Sequence, residues 1–181
     1  MSSHYLGPWR VDVEHGEGVA RLIPATVLAR TIAAALDAAG APGPASIALF
    51  LSDDEELAEL NHEHMGKDGP TDVLSFPLLP PEAYPAHPGK ATANSEAGAN
   101  DDAFALPPGT RQHLGDIVVS VERAIDQADA GRGGQTGDVR WDARDELRLL
   151  VTHGTLHVCG WDHAEPVEEA AMREVERRLL D

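Results

Sequence analysis

Three histidines, His153, His157 and His163, stand in the run HGTLHVCGWDH with the spacing H-x-x-x-H-x-x-G-x-x-H. On an α-helix the first two lie one turn apart, so both imidazoles project from the same face. Gly160 has no Cβ, so it can take a left-handed conformation, end the helix and swing His163 back toward the pair. Three neutral imidazoles converging from one side leave a fourth coordination position open, the arrangement of a catalytic rather than a structural zinc ion. These residues are therefore the candidate ligands of one zinc ion, although the same donor set also suits nickel, copper or cobalt. Zinc proteases with this spacing carry Glu directly after the first His, where it takes a proton from water at the metal. This chain has Gly154 at that position. The pattern thus predicts a metal centre that polarises water or an oxyanion and acts on something other than a peptide bond.

The element that must hold the pair is a helix starting near Trp141 or Asp142. Leu147, Leu150, Val151, Gly154 and Val158 trace its apolar stripe, and Leu149 and Leu156 widen it. Its second half is apolar nearly all round, which predicts a central, buried helix whose histidines need a partner. Upstream, Trp9–Glu14 alternates like a strand, and Pro24 opens a helix that Gly40 closes, with Leu28, Ile32, Ala35, Leu36 and Ala39 inward. Ser46–Leu51 is a buried strand, and Ser52 with Glu55 forms a capping box for a helix running to about His64. Asp72–Leu78 is a strand in which Pro77 marks an end or an edge, Leu114–Ser120 is another strand, and a helix follows to about Ala130. Gly131–Gly137 is turn-rich, and Glu165-Pro166 opens a last helix with Glu168 and Glu169 in its first turn and Arg177 and Arg178 in its last. This order implies an α+β fold, a single mixed β-sheet covered by helices, as one domain over residues 1–181. From Pro80 to about Arg111 the chain turns rich in Pro, Ala, Gly, Asn and Ser, which predicts a mobile insertion. His87 and His113 flank it and read as solvated loop histidines.

The 181 residues and 42% hydrophobic content suit a single domain with a proper core. No stretch approaches the roughly 20 apolar residues of a membrane span, and the N-terminus lacks the pattern of a secretory signal. The single cysteine, Cys159, excludes an internal disulfide and fits a reducing, cytoplasmic compartment. It lies two positions past His157, faces away from it, and reads as a small core residue. A net charge of -17 argues against broad nonspecific affinity for nucleic acid while allowing a local basic cleft. The acidic residues of Asp53–Glu59 and Glu165–Glu176 read as solvated helix faces.

HGTLHVCGWDH resembles the H-G-x-L-H-L-x-G-y-D-H signature of the YbeY family of bacterial endoribonucleases. Leu60–Leu78, LNHEHMGKDGPTDVLSFPL, resembles that family's L-N-x-x-y-R-x-k-x-x-P-T-(D/N)-V-L-S-F-P block, and LGDIVVS its L-G-D-I segment. The resemblance implies a zinc-dependent, single-strand-specific endoribonuclease acting in 16S ribosomal RNA 3′-end maturation and ribosome quality control. Ribosomal RNA and ribosomal particles are then its partners, and the metal ligands carry over to His153, His157 and His163. Where the family places an Arg proposed to act on phosphate, this chain has Met65, which can neither pair with a phosphate nor stabilise developing charge. Lys67 is the nearest cationic substitute and one catalytic candidate. Asp162 is the other: it can orient an imidazole or move a proton, or simply cap a turn. Thr71 and Ser75 are candidate substrate contacts beside Asp72, and Asp116 reads as a strand-start residue. Two further readings stand beside the nuclease. A metalloprotease is favoured by the spacing and opposed by Gly154; a noncatalytic ribosome-assembly factor with a structural metal is favoured by Met65 and the acidic charge.

Overall fold

The computed structural model describes residues 1–90, 110–131 and 142–181. Its strands are β1 (Ser2–Leu6), β2 (Trp9–His15), β3 (Ala45–Ser52), β4 (Val73–Pro77) and β5 (Gln112–Ser120), and its helices α1 (Ala25–Ala39), α2 (Asp54–Met65), α3 (Val121–Asp129), α4 (Ala143–Val158) and α5 (Pro166–Leu180). The strands form one mixed sheet in the order β1-β2-β3-β5-β4, parallel at its centre and antiparallel at both edges. Pro77 sits on the edge strand β4, where a missing N–H is tolerated. Strand β1 escapes a reading of the sequence because it is a mostly exposed edge with no apolar alternation.

Period-two alternation gives the sheet two different faces. Leu49 and Leu51 of β3 and Ile117 and Val119 of β5 join the main core with α1 and α4. Their neighbours Phe50 and Val118, with Leu74 and Phe76 of β4, pack instead against Leu57 and Leu60 of α2. The predicted inward stripe of α1 is buried throughout, and left-handed Gly40 ends that helix. The cap of α2 lies one residue later than Ser52: Asp53 accepts the Glu56 N–H at 3.0 Å, while the Ser52 hydroxyl donates to the Glu56 carboxylate.

Helix α4 begins with a capping box. The Asp142 carboxylate accepts from the Arg144 and Asp145 N–H groups, and the Asp145 side chain accepts from the Asp142 N–H. The helix touches α1, α3, α5, β4 and β5, so it is the central element its composition predicts. At Gly154 the helix lies tight against the sheet, where a Cβ would be 2.7 Å from Ile117 Cγ2 and 3.0 Å from Val73 Cγ2.

The expected insertion departs from its composition over its first part. Residues 80–90 pack on the body of the protein, with a short 3-10 turn at Pro81–Ala83, Tyr84 buried in the core and His87 far from a solvated loop histidine. The Tyr84 side chain gives this stretch apolar surface to bury, while its prolines stay exposed. Residues 91–109, and with them the rest of that expectation, lie outside the described residues, as does the linker beyond residue 131. No helix among the described residues is long and apolar enough to cross a membrane.

Candidate metal centre

Helix α4 ends as its glycine requires. Gly160 is left-handed at φ 79°, its N–H donates to the His157 carbonyl at 3.0 Å, and the Trp161 N–H reaches the Leu156 carbonyl at 3.1 Å. This double closure reverses the chain and returns His163 to the end of the helix that carries His153 and His157. One ring nitrogen from each of the three lies within 4.8 Å of the others. The His153 and His157 rings meet edge-on at 4.5 Å, and the His163 ring is 5.7 Å and 5.1 Å from them.

The hydrogen bonds of the pair fix which nitrogens face inward. His153 Nδ1 is 2.7 Å from the Glu176 carboxylate, and His157 Nδ1 is 2.8 Å from the Trp161 carbonyl. A carboxylate and a backbone carbonyl accept and do not donate, so both Nδ1 atoms carry the proton. Each neutral ring then presents a bare lone pair at Nε2, and these two nitrogens are 2.9 Å apart. Two lone pairs at that distance repel, and either a proton shared between the nitrogens or a cation held by both removes the repulsion. A second proton on His157 is disfavoured: burial first, then the neighbouring His153 and His163, pull its pKa down to about 4. A divalent metal satisfies all three donors without that proton, so the residues present fit the ion their spacing predicts.

The cation site opens on a cleft of about 350 Å³, lined by His153 and His163 together with Asp72, Glu146, Glu176 and Arg173. Arg173, paired with Glu169, is the one permanently charged cation among the described residues lining it.

A family model described as Endoribonuclease YbeY matches residues 20–181. The chain belongs to the YbeY family. Proteins named Endoribonuclease YbeY share 44% identity over 81% of this chain in Salinispora tropica (79% of that protein), 37% over 94% in Thermobifida fusca (91%), and 34% over 94% in Roseiflexus castenholzii (90%). The solution structure of TM1509 from Thermotoga maritima covers 94% of this chain and 86% of its own, with 22% identity and a TM-score of 0.47.

The other residues singled out in this YbeY-family chain are placed as follows. Asp162 is exposed; its Oδ1 accepts the His163 N–H at 2.7 Å, the geometry of a turn cap, and its own N–H donates to Glu168 at 2.8 Å. Lys67 lies on the exposed turn after α2 and does not line the cleft; its N–H closes that helix on the Asn61 carbonyl. Thr71 faces Asp72 at 3.4 Å and is not a lining residue. Ser75 donates its hydroxyl to the Gly154 carbonyl at 3.0 Å, so it ties α4 to β4 instead of facing the cleft. Asp72 does line it, its Oδ2 accepting from Gln127 at 3.0 Å. Met65 is half exposed at the end of α2. Sequence reasoning missed Glu176, Glu168, His87 and Arg173. In the sequence, Glu168 and Glu176 look like parts of a solvated acidic helix face, yet both are buried against histidines. The available signal was their spacing: eight residues is close to two turns, so both lie on the face α5 buries.

Proposed function

We propose that this protein is a zinc-dependent endoribonuclease that cuts single-stranded RNA, acting in the cytoplasm on ribosomal RNA and ribosomal particles in 16S ribosomal RNA 3′-end maturation and ribosome quality control. The observation that carries the reading is the convergence of three imidazoles, with ring nitrogens within 4.8 Å of one another and the Nε2 atoms of His153 and His157 2.9 Å apart, in a chain whose relatives are named endoribonucleases. His153, His157 and His163 hold the ion. When bound, it supplies Lewis-acid charge that activates water and offsets negative charge growing at phosphorus. Glu176 and the Trp161 carbonyl fix the proton of each neutral ring at Nδ1 and so aim the two Nε2 atoms at the ion.

Arg173 positions the phosphodiester. Its guanidinium pairs with the partly exposed Glu169, a bond a phosphate can displace because it offers the same two-oxygen geometry. It thereby fills part of the role that Met65 leaves vacant. Asp162, whose Oδ2 accepts no hydrogen bond from a described residue, moves the proton. Lys67 and Thr71 contact the RNA strand beyond the cleft. Unpaired nucleotides fit an open groove of this size better than an A-form duplex, since backbone and base can both reach the metal.

A protease is disfavoured by position 154, which faces Ile117 and Val73 rather than the cleft, so that a Glu there has no path to the metal. A noncatalytic assembly factor is the second reading, favoured by the acidic lining of Asp72, Glu146 and Glu176, which opposes phosphate. Cleavage of a single-stranded RNA by zinc-loaded protein, with and without chelator, decides between them. The nuclease reading expects His153→Ala and His157→Ala to lose bound zinc and cleavage together. Cleavage that survives complete metal removal sinks it, and co-sedimentation with ribosomal particles without any cutting gives the second reading its case.

A further inference from the structure

The three ligands are not equally well held. His153 and His157 ride on α4, whereas His163 sits in the segment between Gly160 and Glu165, which has no regular structure, and its side chain is exposed. What fixes that segment lies largely outside the histidine motif. Glu168 Oε1 accepts the Asp162 N–H at 2.8 Å and also lies 2.6 Å from His87 Nε2. Since the carboxylate accepts, His87 donates. The His87 ring lies flat on the Trp161 indole, with centroids 3.9 Å apart and planes 6° from parallel. His87 and Glu168 are only 6% and 8% exposed, so both contacts are made out of water, where they are strongest.

The backbone on either side of His87 is pressed onto the same loop. A Cβ on Gly89 would lie 2.4 Å from the Glu168 nitrogen, and one on Gly160 would lie 3.1 Å from Pro81 Cα. Lys90 Nζ closes the segment on itself by donating to the Pro81 carbonyl at 2.5 Å. Residues 81–90 therefore grip the ligand loop at Gly160 and Trp161, three and two residues before His163, and the start of α5 at Glu168, five residues after it.

We propose that His87 is a positioning residue for the third metal ligand: through Glu168 and Trp161 it holds the Gly160–Glu165 loop in the conformation that presents His163 to the ion. The inference rests on the metal-centre part of the proposed function and is independent of what RNA the protein cuts. Without the His87 ring the loop gains alternative conformations, and the competent one becomes a fraction of the ensemble, which weakens binding by that fraction.

The test measures zinc affinity of the full chain by chelator competition, and the visible spectrum of the cobalt-loaded protein, for native protein, His87→Ala, His87→Phe and His87→Gln. His87→Ala is expected to bind zinc about tenfold more weakly or worse, the range found for groups that support ligands from outside the coordination shell. Its cobalt bands should weaken as water replaces the His163 donor. His87→Phe keeps the stacked ring and His87→Gln keeps a donor for Glu168, so each should recover part of the loss. Native affinity and a native cobalt spectrum in a folded His87→Ala overturn the inference. If His87→Ala fails to fold, native values in both conservative variants overturn it equally. Native protein that binds no zinc removes the metal centre and this inference with it. Native protein that binds zinc tightly but never cuts RNA removes the nuclease and leaves the inference standing.

Discussion

Glu176→Ala probes the tautomer argument on which the metal centre rests. The carboxylate, only 10% exposed, accepts from His153 Nδ1 at 2.7 Å and so makes Nε2 the donor nitrogen of the neutral ring. Without it, the His153 ring is free to turn and to carry its proton on Nε2, which removes one of three donors from a fraction of the molecules. Loss of such a supporting partner lowers metal affinity about 10- to 100-fold, or roughly 1.4 to 2.7 kcal/mol. At saturating zinc the same energy is lost from metal-linked stability. For a chain of this size, where 1 kcal/mol moves the midpoint by roughly 2–4 °C, the gap between zinc-loaded and metal-free Tm should narrow by about 3–10 °C. Glu176→Gln retains an acceptor oxygen but not the charge, and its loss should fall below tenfold. Chelator competition and paired thermal melts measure both quantities. A Glu176→Ala protein with a native circular dichroism spectrum, native zinc affinity and an unchanged gap between the two midpoints would refute the reasoning.

Gly154→Ala should be less stable by about 1–2 kcal/mol in urea melts, because crowding against Ile117 Cγ2 and Val73 Cγ2 outweighs the helix-propensity gain; a stabilised variant contradicts the packing. The metal-free protein should lose stability as pH falls from about 6.5 toward 4. His157 has a folded pKa near 4 against 6.5 unfolded, so the unfolded state binds more protons in that window, and the contribution present above it, on the order of 3 kcal/mol, disappears. His157→Gln should flatten that part of the profile, and an unflattened difference between the two proteins excludes the histidine as its source. Arg173→Ala should weaken binding of single-stranded RNA and reduce the slope of log K against log salt by about 0.7, while Arg173→Lys keeps the slope; fluorescence anisotropy across a salt series reads both, and an unchanged slope in the alanine variant removes Arg173 from the phosphate path.

What the sequence discloses here is set by how local the cause is. His153, His157 and Gly160 are legible because one helical turn and one left-handed residue place them, and both are properties of adjacent residues. The burial of α4 follows likewise from its own apolar stripe. The partners of the histidines are not legible as partners. Glu176 lies 23 residues beyond His153, and only the packing of α5 on α4 makes its carboxylate an acceptor rather than part of a solvated face. The insertion shows the same limit in composition: averaged over residues 80–111 it reads as a stretch with nothing to bury, yet Tyr84 and His87 within it are buried. Lys67 and Ser75 stand in family-like motifs, but an exposed turn carries the first away from the cleft and the second is bonded to Gly154. The cap of α2 is a subtler case, because Ser52-Glu55 and Asp53-Glu56 carry the same spacing and only the strand's continuation through Ser52 selects the second.

The charge around the centre has a consequence for the order of events. Asp72, Glu146, Glu169 and Glu176 line the cleft and Arg173 alone opposes them among the described residues there, in a chain of net charge -17. Such a wall attracts a divalent cation and repels a polyanion, and within a Debye length of about 8–10 Å salt does not erase the effect. The carboxylates thus serve the metal first, one of them by direct contact with a ligand ring. On the proposed function, a divalent ion seated there offsets part of that negative charge beside an arginine with a displaceable partner, which is expected to ease the approach of a phosphate. The proposed function therefore expects metal loading to strengthen RNA binding as well as to enable cutting, and gives the acidity that argues against a nucleic-acid protein at the level of composition a use at this site, that of attracting the cation.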